Sequence, residues 1–108
     1  MASYSKSEPN VLSLEGEIDL HESPQIREAL TPMIERKLPR LLIDLTGVSY
    51  IDSSGLAVFI DAMQRVQSYG GQLALFGIGE TVRNIFHIAR LDQVFKIFPD
   101  KNTALAAT

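Results

Sequence analysis

Two periodicities trade places along the chain. Val11, Leu12 and Leu14, continued by Ile18, read as a strand, and Pro9-Asn10 before them is a turn signal across which Ser3–Glu8 is expected to pair. Ser23-Pro24 predicts a helix start, with Ser at the N-cap and Pro at the first helical position, where its missing N–H costs nothing. Ile26, Leu30, Met33 and Ile34 follow at helical spacing, and Pro32 is expected to kink or shorten that helix. Leu41, Leu42, Ile43 and Leu45 form a nearly continuous apolar run, the pattern of a central buried strand. Leu56, Phe59, Ile60, Met63 and Val66 return to the three-and-four spacing of one helix face, until Gly70-Gly71 ends that helix. Leu73, Leu75 and Phe76 predict the next strand. Val82, Ile85, Phe86 and Ala89 predict a helix opened near Glu80-Thr81. Val94, Phe95, Ile97 and Phe98 predict a last strand stopped by Pro99, and a short helix from about Asn102 closes the chain.

Strands first and helix–strand alternation afterwards imply an α/β sandwich. The expectation is a mixed sheet of about four or five strands with about four helices, its parallel central strands joined by right-handed crossovers. No repeat, low-complexity tract or linker divides the chain, so residues 1–108 are expected to be one domain with one core, residues 1–10 forming a partly ordered segment or a short strand. A hydrophobic share of 45% against 21% charged is ordinary globular composition and argues against disorder. The net charge of −3 leaves no basic patch that would suit nucleic acid or an anionic membrane surface. No apolar run approaches the roughly 20 residues of a membrane span, and MASYSKSEPN lacks a signal-peptide core. The absence of cysteine excludes disulfides, thiolate zinc sites and thiol catalysis. These features lead us to expect a cytoplasmic protein, and a monomer, since no coiled-coil pattern or edge-pairing segment appears.

The stretch that demands chemistry is Asp52-Ser53-Ser54-Gly55, where the apolar strand hands over to the helix. Asp, Ser and Gly suit a strand-to-helix turn, and Asp52 or Ser53 could simply cap the following helix. A nucleophile elbow requires Gly two residues before its serine, and Ile51 stands there. GIGETVR at Gly77–Arg83 has two glycines but no phosphate-loop lysine. His21 and His87 are far apart, lie in no imidazole-base signature and lack the spacing of metal ligands; His87 reads as a helix-surface residue. A serine at a helix N-terminus is also a favourable carrier of a phosphate, because free N–H groups and the helix dipole stabilise the anion. Phosphorylation adds about −1.5 to −2 charges and three acceptor oxygens, which changes what the adjacent surface binds without unfolding the domain.

LIDLTGVSYIDSSGLAVF resembles the signature of STAS domains, and specifically of the anti-sigma factor antagonists. Gly16–Asp19 (GEID) is similar to the family's Gly-Glu-Leu-Asp segment before the first helix. Tyr69–Ile78 resembles the strand after the signature helix, and Val82–Phe98 the last helix and strand. The resemblance covers nearly all of the chain from about Val11. It implies a domain that binds an anti-sigma factor which is also a serine kinase, frees a sigma factor while unphosphorylated, and is reset by a serine phosphatase. It implies no cofactor, no bound metal and no catalytic residue, the chain being a protein substrate rather than an enzyme. Carried over, Ser53 is the phosphoacceptor and Asp52 the flanking acid that orients or polarises its hydroxyl. Ser54 and Gly55 then form the first helical turn, with Gly55 allowing a partner backbone to approach. Asp19, His21 and Glu22 are expected beside this site and to contact the partner.

Ala57, Val58 and Ala62 lie off the main apolar stripe of the signature helix. They fit either a helix broadly buried in its own fold or a small-residue surface on which the partner docks. Two departures from the family pattern are Ala57, where many relatives carry glycine, and a short polar segment before Val11 that would stunt the first strand. The same resemblance admits another class of function, a cytosolic subunit of a phospholipid-transport ABC complex. Such subunits usually carry threonine near the second position after the aspartate, so Ser53-Ser54 favours the switch. A partner-switching regulator of an output other than a sigma factor would use the same serine.

Overall fold

The computed structural model describes residues 3–107; of the single domain expected over 1–108, Met1, Ala2 and Thr108 lie outside the described residues. Five strands, β1 (Ser3–Glu8), β2 (Val11–Ile18), β3 (Arg40–Ile51), β4 (Gln72–Phe76) and β5 (Lys96–Phe98), lie in the sheet in chain order. β1 runs antiparallel to β2, and the other neighbours are parallel, so the sheet is mixed as the sequence implies. The helices are α1 (Ser23–Glu35), α2 (Ser53–Ser68), α3 (Glu80–Ile88) and α4 (Lys101–Ala106). The polar β1 is not stunted: five of its six residues pair with β2 across Pro9-Asn10, the register shifting between Lys6 and Glu8.

Strand pleating explains the apolar runs. On one face Leu12, Leu14, Leu41, Ile43, Leu45, Leu73 and Leu75 meet Ile26, Leu30 and Met33 of α1, Phe59 and Val66 of α2, and Val82 and Phe86 of α3. On the other face Val11, Leu42, Ala74 and Phe76 form a smaller cluster under α4, which contributes Ala104. β3 and β4 are covered on both faces where these clusters overlap, hence their unbroken apolar stretches. α4 is tied down by Arg40, whose guanidinium donates to the Leu105 carbonyl, and by the half-exposed pair Lys101–Glu8 at 2.7 Å.

Three local expectations are corrected. Ser23 is not the N-cap: Glu22 occupies that position without a side-chain cap bond, and the Ser23 hydroxyl is engaged elsewhere. Pro32 does not shorten α1, which runs on to Glu35; an exposed proline so near the C-terminus removes only one ladder bond. The last strand is Lys96–Phe98 only. Leu91–Gln93 forms a 3-10 turn whose Leu91 carbonyl accepts the N–H groups of both Val94 and Phe95, so neither can join a ladder. Phe95 is buried instead against Phe86, edge to face at 5.8 Å.

Candidate functional site

The parallel register of β2 and β3 sets Ile18 beside Ile51. The loops that follow these two residues therefore start together, stitched by the Asp52 N–H donating to the Ile18 carbonyl at 3.0 Å. This brings Asp19 next to Asp52 across 33 positions of sequence, close enough for the charge on Asp19 to oppose ionisation of Asp52.

Asp52 has extended backbone and caps α2: its Oδ1 accepts from the N–H of Ser54 at 2.9 Å and of Gly55 at 3.2 Å. The same oxygen accepts from the Ser54 hydroxyl at 2.5 Å. That hydroxyl bond, then the two amides, holds the carboxyl below the usual carboxylate range against burial and the charge of Asp19. Asp52 thus orients Ser54, not Ser53 as the sequence suggested. Ser53, the first residue of α2, is exposed, and its hydroxyl has no hydrogen-bond partner among the described residues.

Asp19 shapes its own loop. Its Oδ1 accepts from the N–H of His21 at 2.9 Å and of Glu22 at 3.4 Å, and its carboxyl is held low, first by hydrogen bonding with the Glu22 side chain and then by these backbone amides and the nearby His21. Of the residues expected to contact a partner there, Asp19 is half-exposed and His21 exposed, but Glu22 is only 8% exposed. The small residues of α2 separate likewise. Val58 and Ala62 are 3% and 2% exposed, inside the main core where α2 packs on α1 and the sheet, and Ala57 alone is exposed. Gly55 is buried too. A Cβ there would lie 2.8 Å from Cγ2 of both Ile18 and Ile51, so the glycine serves close packing inside the domain rather than the approach of a partner.

Two exposed apolar residues, neither marked by the periodicity, stand close to this turn in sequence or in space. Leu20, 71% exposed between Asp19 and His21, rims a groove of about 540 Å³ between α1 and α2 that Pro24, Arg27, Ser54 and Ala57 also line. Tyr50 is exposed near the end of β3. The available signal was an apolar side chain in a polar loop. His87 sits on the surface with Nδ1 3.0 Å from Asp92. Among the described residues no cluster of three or more His, Cys, Asp or Glu side chains could hold a metal ion, and no helix is long and apolar enough to cross a membrane.

A mixed sheet with three helices over one face and a capped Asp-Ser-Ser-Gly turn at the ends of its parallel strands defines a STAS-type domain, and the STAS domain pattern matches residues 3–104. The chain belongs to the STAS domain family, in its anti-sigma factor antagonist branch. It is 38% identical to the anti-sigma-B factor antagonist of Listeria monocytogenes over 76% of this chain and 72% of the relative. It is 37% identical to that of Bacillus subtilis over 80% of this chain and 78% of the relative. A solved anti-sigma factor antagonist from Mycobacterium paratuberculosis superposes with a TM-score of 0.88 at 25% identity, over 99% of this chain and 93% of that one.

Proposed function

We propose that this chain is a cytoplasmic anti-sigma factor antagonist that works by partner switching. With Ser53 unmodified it binds an anti-sigma factor that is also a serine kinase; phosphorylation of Ser53 releases it, and a serine phosphatase restores it. The chain acts as a protein ligand and substrate, not as a catalyst, and as a monomer. The observation that carries this reading is the Ser53 hydroxyl itself, exposed and without a hydrogen-bond partner among the described residues at the N-terminus of a sixteen-residue helix. Around it Asp19, His21, Leu20 and Ala57 form the contact surface, in a family whose relatives carry the antagonist name.

The switch needs no change of fold. A hundredfold loss of affinity is about 2.8 kcal/mol. Leaving a charge unpaired in a buried interface costs about 2–5 kcal/mol, and a phosphate on Ser53 joins a surface that already carries Asp19 and Asp52. The test has two parts. Site-localising mass spectrometry on protein from its own cells, with phosphatases inhibited, is expected to find phosphate on Ser53. The anti-sigma factor recovered with the unmodified protein is expected to bind Ser53→Ala like wild type and Ser53→Asp far more weakly. Equal affinities for wild type and Ser53→Asp, together with a Ser53 that stays unmodified across growth states, would refute the proposal.

A further inference from the structure

Two neighbouring hydroxyls stand at the start of α2 in opposite states. Ser53 is exposed, and its Oγ has no hydrogen-bond partner among the described residues. Ser54 Oγ lies 2.5 Å from Asp52 Oδ1 and 2.8 Å from Ser23 Oγ, and Ser23 Oγ lies 2.8 Å from the Asp19 carbonyl. These three contacts share two hydroxyl hydrogens. The ionised Asp52 carboxylate is the strongest acceptor of the set, so Ser54 donates to it. The Ser23 hydrogen then serves the Ser54 oxygen or the Asp19 carbonyl. Ser54 is closed on both sides: by Asp52 on its own turn and by Ser23, which is 5% exposed on α1.

We infer that Ser54 and Ser23 are specificity residues for modification at this turn: by tying up the second hydroxyl they leave Ser53 as the single acceptor. The inference rests on the proposed role of Ser53. In the transfer, the acceptor oxygen bonds to the γ-phosphorus of a nucleoside triphosphate as the bridging P–O bond breaks. The nucleoside diphosphate leaves, and the hydroxyl proton passes to a base. At Ser53 the oxygen is open to this approach, and the product phosphate projects into water. At Ser54 the oxygen would first have to leave Asp52 and Ser23. The product would then be a dianion beside the Asp52 carboxylate in a half-buried position, where like charges disfavour each other. The pair also joins the start of α1 to the start of α2, so that Ser23 acts through Ser54 as a positioning residue.

The experiment reads the site of phosphate in protein recovered from its own cells. Wild type is expected to carry it on Ser53, and Ser53→Ala to carry it on Ser54 only at a trace level, far below the Ser53 occupancy of wild type. Ser53→Ala combined with Ser23→Ala is expected to raise Ser54 occupancy about tenfold or more over Ser53→Ala, a factor equivalent to about 1.4 kcal/mol. Ser53→Ala combined with Ser23→Thr, which keeps a hydroxyl, is expected to suppress it again. Ser54 modified in Ser53→Ala to the level of Ser53 in wild type would overturn the inference, as would no rise in the Ser23→Ala double variant. A wild type without phosphate under any condition counts against the acceptor role of Ser53 instead. Hydroxyl-proton exchange by NMR on the unmodified protein then decides the inference. Slow exchange at Ser54, hastened by Ser23→Ala, supports it, and exchange as fast as at Ser53 overturns it.

Discussion

Gly55→Ala puts the packing account of the site to its sharpest test. The added methyl would stand 2.8 Å from Ile18 Cγ2 and 2.8 Å from Ile51 Cγ2. Ordinary carbon–carbon contact sits at about 3.5–4.0 Å, so each pair must separate by roughly 0.7 Å. Neither isoleucine has room to yield, since both are completely buried and lie side by side in the β2–β3 register. Overpacking of this kind costs about 1–3 kcal/mol. Replacing glycine by alanine in a helix returns about 0.8–1.0 kcal/mol in a helix interior, and less in a first turn. The net expectation is a loss of about 1–2 kcal/mol. For a chain of this size that is a fall in Tm of about 4–8 °C. Urea unfolding followed by circular dichroism measures it, with a lower midpoint and an unchanged slope. A variant as stable as wild type would mean that the methyl fits. The reasoning from Ile18 and Ile51 would then fail, and Gly55 would revert to opening the surface for a partner backbone.

The cap and the core give two further expectations. Asp52→Ala should cost about 1 kcal/mol through the lost cap. Its pH dependence has a definite sign: the Ser54 hydroxyl and the two amides lower the folded pKa of Asp52. The stabilisation is therefore present above the unfolded value of about 3.9 and is lost as pH falls through the folded value. Asp52→Asn should flatten acid destabilisation below about pH 4 in urea titrations, and an unchanged acid slope would refute the assignment. Phe86→Ala removes a completely buried ring packed edge to face on Phe95 and should cost about 3–5 kcal/mol; a loss under 1 kcal/mol in chemical denaturation would show that the cavity collapses freely.

What the sequence made legible divides by distance along the chain. Every element whose apolar face meets one layer could be read, because 3.6-residue and two-residue periods are local properties. Val94 and Phe95 could not, because apolar character alone does not say that their amides turn back to Leu91. The same division runs through the site. A helix cap at Asp52 or Ser53 is a local fact, readable from Asp-Ser-Ser-Gly; that Asp52 caps and Ser53 stands exposed is decided by the backbone of the turn. Gly55 reads locally as an opening for a partner because Ile18, which together with Ile51 fills the space of its missing Cβ, is 37 positions away. Val58 and Ala62 were ambiguous for the same reason: a small residue on a helix is required where another helix approaches closely, and the approach of α1 is written nowhere near them. Ser23 reads as a cap because Ser-Pro is a local signal, yet its hydroxyl answers to Ser54, 31 residues on. The contacts of Gly55 descend from one parallel register, Ile18 beside Ile51, which brings the ends of two strands together. A local motif therefore names the residue that is free to react, while long-range pairing decides which of its neighbours are not.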